Sequence, residues 1–321
     1  LLHCIVRTVA RRLTAFLVLR PDDCAIVETT VADGAPTVIG GFYAHFARRD
    51  DVAAVPRRYL FGSNGLELFT AGGRSFLLLF DTHADEARAA FAAVRRDVHI
   101  PGVDVPAGAP AGTRPHVYRD HWCRLWSDGR LSTFACLLAL NELAGRTPND
   151  PSNYQLLPWV VVDTASRSIT PKTDALRAFE QPVQCLDPAR RAAFLRRFAD
   201  PDADPRRGAN FSNDGQLAFF LFRISPFTEL HLLFHAHFDA ERLFTSLVSP
   251  LVSGREYFEL TPHFFHLPHF LLPLNPVNDA ARPDDPPVTA PFALPPWANG
   301  SARRFVQCNM RALESPPQAT A

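Results

Sequence analysis

The sequence predicts an α+β chain of two domains, a β-rich first hundred residues followed by a mostly α remainder. Three observations carry this. Short apolar runs rich in β-branched and aromatic residues recur as far as Phe80, separated by turn residues. At Thr82 the spacing of the apolar residues changes from that of a strand to that of a helix. Beyond residue 116, helical stripes alternate with proline-rich stretches, so extended segments must lie between the helices. With 321 residues, each half is long enough to bury a core of its own.

The first domain spans 1–99. Leu13–Leu19 is an apolar run of strand type, and Cys24–Thr30 follows after the turn Pro21-Asp22-Asp23. Arg58–Phe61, Gly65–Thr70 and Arg74–Phe80 are three more strands, the last two joined through Ala71-Gly72-Gly73. Residues 32–57 read as a longer loop with one further strand near Val38–Phe42. Thr82 with Asp85 opens a helix, and Ala84, Ala87, Phe91 and Val94 share one of its faces. Antiparallel strands closed by a C-terminal helix is the order of a pleckstrin-homology barrel. Residues 100–116 are rich in Pro and Gly, with little charge beyond Asp104 and Arg114, and read as a linker.

The second domain spans 117–321. Ser132–Ala144 is a helix with Phe134, Leu137, Leu138 and Asn141 on its buried stripe, stopped by Gly145. Asp187-Pro188 caps a helix that runs to Phe198. Asp239 caps another, with Leu243, Phe244, Leu247, Val248 and Leu251 inward. Ser301 caps the last, with Phe305 and Leu313 inward.

Composition excludes several classes. The chain is 47% hydrophobic and 21% charged, the balance of a globular protein. Its 33 basic and 33 acidic residues cancel, leaving no field to draw in nucleic acid. No two of the six cysteines stand in a C-x-x-C spacing, which argues for scattered thiols in a reducing, cytoplasmic setting. The apolar runs are too short or too broken by Pro and His to span a bilayer. No Walker loop, nucleophile elbow or G-x-G-x-x-G is present.

Seven motifs then appear in order. They are Asn141-Glu142-Leu143-Ala144-Gly145-Arg146 with Asn149-Asp150, Tyr154 and Pro158-Trp159; Gln181-Pro182-Val183 with Leu186-Asp187-Pro188; and Arg223-Ile224-Ser225-Pro226-Phe227-Thr228. Phe238-Asp239 with Arg242-Leu243-Phe244 follows, then Glu259-Leu260-Thr261-Pro262 with Phe264-Phe265. Leu294-Pro295-Pro296-Trp297-Ala298 and Arg311-Ala312-Leu313-Glu314-Ser315 complete the series. Together they resemble the BEACH-domain family of the neurobeachin and Chediak–Higashi lysosomal-trafficking-regulator type. Upstream, Arg57-Arg58-Tyr59-Leu60, Leu66-Glu67-Leu68-Phe69 and Gly73-Arg74-Ser75-Phe76 are similar to the pleckstrin-like domain that precedes BEACH domains. The chain departs from the family pattern at Pro148, where an aromatic is usual. It departs again at Asn210-Phe211-Ser212-Asn213-Asp214, where the family carries His and Tyr.

The resemblance implies a BEACH domain of helices around irregular core segments, incomplete at its C-terminus, with a WD-repeat propeller downstream in the parent chain. It implies a non-catalytic scaffold of vesicle traffic, lysosomes or autophagy, without cofactor. Such a scaffold binds protein partners through the surface between its two domains, and sits in the cytoplasm or peripherally on endosomal and lysosomal membranes. The signature residues Asn141, Gly145, Arg146, Asn149, Asp150, Tyr154, Pro158, Trp159, Pro226, Phe227, Asp239, Arg242, Pro296 and Trp297 would serve architecture or partner contact.

Two other chemistries are written in the residues. Arg11, Arg12, Arg57, Arg58 and Arg74 are candidate phosphate contacts for a phosphoinositide-binding module, since guanidinium matches phosphate geometry. His231, His235 and His237 form H-x3-H-x-H, and His263, His266 and His269 form H-x2-H-x2-H; a metal-dependent hydrolase would need three of them to converge. Pro262 and Pro268 break the second cluster's helix face, so no metal site is expected. Asp200, Asp202 and Asp204 open like a calcium loop, but Pro205 and Phe211 occupy the positions that require Gly and Glu.

Overall fold

The computed structural model describes residues 2–7, 12–19, 23–32, 35–47, 52–59, 62–70, 74–80, 113–169, 176–177, 179–180, 185, 188–199, 214–235, 244, 246–247, 259–272 and 292–315. Its chain divides into two compact units. Unit 1 is Leu1–His121 together with Leu143–Asp150; unit 2 is Trp122–Glu142 together with Pro151–Ala321. The architecture is α+β.

Unit 1 is a seven-stranded antiparallel sheet. Its strands are β1 (Leu2–Arg7), β2 (Arg12–Leu19), β3 (Asp23–Ala32), β4 (Ala35–Ala47), β5 (Val52–Tyr59), β6 (Gly62–Thr70) and β7 (Ser75–Leu79). They lie in the order β4-β3-β2-β1-β7-β6-β5. Among the described residues no pairing joins the outer strands β4 and β5, so the expected barrel is here an open sheet. The strand expected near Val38–Phe42 is the centre of the longer β4; the rest of the 32–57 loop is a correction, since most of it is also β4 and β5, and the pairing of β4 with β3 is interrupted between Ile26 and Thr29. That irregularity, with Gly40-Gly41 inside β4, hides the alternation by which a strand is read. β1 was not foreseen, and β5 begins six residues before the expected Arg58. The helix expected from Thr82 lies outside the described residues.

Period-two alternation places Cys4, Val6, Ala15, Leu17, Ile26, Leu66, Leu68, Phe76, Leu78 and Phe80 in one buried layer. Burial pushes the Cys4 thiol up to about 12, so it packs as a neutral apolar group. The opposite face, one residue out of phase, carries Glu67, Leu77 and Leu79, which are also buried.

The helices are α1 (Thr113–Ser127), α2 (Thr133–Leu143), α3 (Pro188–Ala199), α4 (Asp214–Leu221), α5 (Phe227–His235), the single turn α6 (His263–His266) and α7 (Ala302–Glu314). α1 starts inside the stretch read as a linker, because Pro115 in its first turn is tolerated there. The helix expected after Asp239 lies mostly outside the described residues. In α2 the stripe differs from expectation: Cys136 and Asn141 are buried, while Phe134, Leu137 and Leu138 are half-buried. α7 follows the pattern foreseen: the Ser301 hydroxyl accepts the Arg304 N–H at 3.2 Å, and Phe305 and Leu313 are buried.

Unit 2 has an aromatic core. Phe264 packs at 5.2 Å from Phe220 and 4.7 Å from Phe270, and Phe244 at 4.9 Å from Phe220 and 4.7 Å from Phe292. Trp297 stacks on Phe305 at 5.4 Å and 10°. Each such pair adds ~1 kcal/mol beyond its burial.

Between the helices run extended segments joined by single bridges, Leu157 to Leu260, Val161 to Leu176 and Ser246 to Ala293. Glu259 gathers them. Its carboxylate accepts from the Arg177 guanidinium at 2.8 and 2.9 Å and from the Trp159 N–H at 2.9 Å. Its carbonyl accepts from the Gln216 amide at 3.1 Å. Removing the carboxylate leaves Arg177, 6% exposed, as a buried charge without this counterion. Glu259→Ala is therefore expected to lose roughly 3 kcal/mol of stability in urea unfolding. A loss under ~1 kcal/mol, typical of an exposed pair, would show that this one is solvated.

Candidate functional site: the signature segment and its supports

Residues 141–159 carry the densest motif, and the chain threads them through both units. Asn141 ends the buried stripe of α2. Its Nδ2 donates to the carbonyls of Leu137 and Leu156, both at 2.8 Å, and its Oδ1 accepts the Leu156 N–H at 3.0 Å. One side chain thus pairs both main-chain groups of a residue fifteen positions on, which has no strand partner among the described residues. Beside it Glu142 accepts from Gln155 at 2.7 Å.

Gly145 then takes φ +84°, the left-handed conformation that ends a helix at little cost for glycine. The following residues belong to unit 1 and close over buried Glu67 of β6. The Thr147 hydroxyl donates to Glu67 Oε1 in a short hydrogen bond. Asn149 Nδ2 donates to the same oxygen at 3.0 Å and to the Ser75 hydroxyl at 2.7 Å, while the Asn149 N–H donates to Thr147 Oγ1 at 3.1 Å. Asp150 is buried; Arg146 is half-buried, and burial holds its guanidinium below the ordinary arginine range.

After Asp150 the chain is back in unit 2. Buried Tyr154 meets Phe227 edge-on at 6.2 Å and stacks on His263 at 6.2 Å; burial raises its phenol above the ordinary range. Pro158 is half-buried. Trp159 is buried, its indole N–H donating to the Val161 carbonyl at 2.7 Å. Trp297, preceded by exposed Pro296, donates in the same way to the Asp163 carbonyl at 2.8 Å. Pro226 is half-buried behind a cis Ser225–Pro226 bond, and Phe227 is buried. Asp239 and Arg242 lie outside the described residues.

Of the candidate phosphate contacts, Arg11 and the side chains of Arg12, Arg57 and Arg58 lie outside the described residues. Arg74 is exposed, its guanidinium 5.0 Å over the Phe76 ring. In the first histidine cluster His231 is buried against Phe222 at 5.8 Å, while the His235 side chain and His237 are outside the described residues. In the second, His263 and His266 stack at 5.8 Å, His266 Nδ1 lies 2.7 Å from the Pro262 carbonyl, and His269 is exposed. Among the described residues, no three His, Cys, Asp or Glu side chains converge on a metal position. None of the described helices is long and apolar enough to cross a membrane.

Four supports were not foreseen as such: Glu67, Thr147, the Arg177–Glu259 pair and Glu314. The Glu314 carboxylate accepts the Thr133 and Phe134 N–H groups at 2.8 and 2.9 Å, capping α2 from 180 residues away. A carboxylate flanked by Leu66 and Leu68 is the one local signal of this kind, because alternation puts it on the face opposite the core.

The Beige/BEACH domain family model matches residues 124–319. The chain belongs to this family. It is 37% identical over 208 residues to BEACH domain-containing protein B of Arabidopsis thaliana, covering 61% of this chain and 8% of that protein. It is 34% identical over 200 residues to BEACH domain-containing protein lvsD of Dictyostelium discoideum, covering 59% of this chain and 7% of that one. The match to mouse WD repeat- and FYVE domain-containing protein 4 reaches further, 31% over 277 residues and 80% of this chain, with 8% of the relative. The chain thus spans less than a tenth of the length of these relatives.

Two outcomes follow from the geometry. Asn149→Ala removes a donor to a buried carboxylate and is expected to cost ~2 kcal/mol. The amides of 143–150 would then exchange faster with solvent while the aromatic core of unit 2 keeps its protection; unchanged exchange refutes the assignment. Burial chiefly, with His266 adding repulsion, pushes His263 down from 6.5 to about 3. Between those values the unfolded chain binds a proton there that the folded chain does not, so stability falls as pH drops through this window. Going from pH 7 to pH 5 is expected to cost ~2 kcal/mol through this group, and a His263→Phe variant should show a flatter pH profile of thermal unfolding.

Proposed function

We propose that the chain is a non-catalytic scaffold region of a large protein of membrane traffic, and that it binds protein partners. The supporting observation is the BEACH-family match together with the employment of the signature side chains. Asn141, Asn149 and Trp159, with Thr147 between them, spend their polar groups on backbone and buried partners, the work of a rigid platform rather than of a nucleophile or base.

In this reading the sheet unit is a pleckstrin-homology-like module. The parent chain carries a WD-repeat propeller downstream, as the name of the mouse relative suggests. The protein works from the cytoplasm, peripherally on endosomal, lysosomal or autophagic membranes.

Proximity labelling by the chain in cells, with Glu259→Ala as the destabilised control, tests this role. The expected result is enrichment of coat, tether and adaptor proteins of endosomes and lysosomes over the control. A labelling profile indistinguishable from the control, or one dominated by the neighbours of soluble metabolic enzymes, refutes it.

A further inference from the structure

Unit 2 holds a cleft of about 430 Å³ between α6, the 3-10 turn Pro268–Leu271 and the outer face of α7. That lies in the size range of ligand pockets, roughly 300–1,000 Å³. Phe265, Pro268, Val306 and Met310 give it an apolar part, and His266, Gln307 and the two arginines Arg303 and Arg311 line the rest. Both arginines are exposed. They are eight positions apart on one helix, hence ~12 Å along its axis. Among the described residues, no carboxylate lines the cleft. Among the described residues neither arginine has an ion-pair partner, and the only acid of α7, Glu314, is spent on the first N–H groups of α2.

We propose that this cleft docks a short acidic segment of a protein partner, with two carboxylates about two helical turns apart flanking an apolar side chain. Charge complementarity selects the acidic partner, because a strip with a guanidinium at each end and no internal counterion attracts carboxylates at matching spacing. The apolar part selects a peptide over a bare anion, since it needs a side chain to displace its water. Concavity selects a peptide over a membrane, whose surface cannot follow a cleft inward. The unbranched Met310 side chain adapts to whichever apolar residue is delivered. The inference is independent of the trafficking role, which would survive its failure.

Met310 is the only methionine in the sequence, so a methyl-labelled sample of the whole chain has a single methionine resonance reporting from the cleft. The probe is a fluorescent peptide of about three helical turns, with two glutamates two turns apart and leucines between them. Its comparison replaces both glutamates by lysine. The acidic peptide should shift the Met310 methyl and the lysine peptide should not. Arg303→Glu with Arg311→Glu should weaken the acidic peptide by roughly tenfold or more, while the variant's thermal melt stays unchanged at these exposed positions. The peptide swap on the wild-type chain needs no variant and decides the matter alone if the variant misfolds. The proposal is overturned by a Met310 methyl that stays put at saturating peptide, or by equal affinity for both peptides. A methyl that responds to phosphatidylserine vesicles but not to the peptide, or self-association of the chain abolished by the charge reversal, overturns it equally.

Discussion

Much of the described part of unit 2 is neither helix nor sheet, so the backbone polar groups there cannot be satisfied by a regular ladder. Glu259 is where this problem is met. Its carboxylate holds Arg177 and the Trp159 N–H, its carbonyl holds Gln216, and the next residue pairs in both directions with Leu157, at 2.7 and 2.9 Å. Four stretches distant in sequence, near 157–159, 177, 216 and 259–260, are thereby fixed at one place. The Arg177 charge, nearly out of water, is tolerated because this carboxylate faces it, and the carboxylate's sharing among several donors makes its loss expensive.

The apolar core is built around that junction. Leu260 and Thr261 lead directly into Phe264 and Phe265, which are fully buried, and Phe264 touches rings from α4, from the 3-10 turn and from α7. Arg223 closes the other side, donating to the Phe244 carbonyl at 2.7 Å with its guanidinium 4.3 Å over Phe222. Burial brings this arginine down to about 10, still far above neutrality, so it remains charged and the carbonyl and ring faces must carry that charge. Polar side chains here act as joints and aromatic rings as filling.

The sequence made much of this legible, and the limits follow from range. The last helix could be read in full because Ser301, Phe305 and Leu313 obey local rules of capping and periodicity. Most strands of the sheet could be read because alternation is local; of β4 only the centre near Val38–Phe42 was read, and β5 lay inside the same supposed loop. Glu67, Glu259 and Glu314 could be seen as residues but not as supports, because each acts on a partner 80 or more positions away; only Glu67, flanked by Leu66 and Leu68, carries a local sign of burial, and even that does not name its partner. Asn141 was picked out as a polar residue at a helix end, yet only the structure places its amide against both polar groups of Leu156.

The signature segment shows why motif and site need not coincide. Within nineteen residues, Asn141 and Trp159 serve unit 2 while Thr147 and Asn149 serve unit 1, and Gly145 makes the passage by ending α2 in a left-handed turn. A segment under two sets of packing demands has few free polar groups, so its recognisable pattern reflects folding constraints before any partner is considered. Surfaces for partners are more readily found where charges are unspent. On α7 Phe305, Asn309 and Leu313 are committed to the core and Val306 lies between core and cleft, whereas the exposed Arg303 and Arg311 answer to no described carboxylate. The same helix therefore completes the platform and lines a charged, partly apolar cleft.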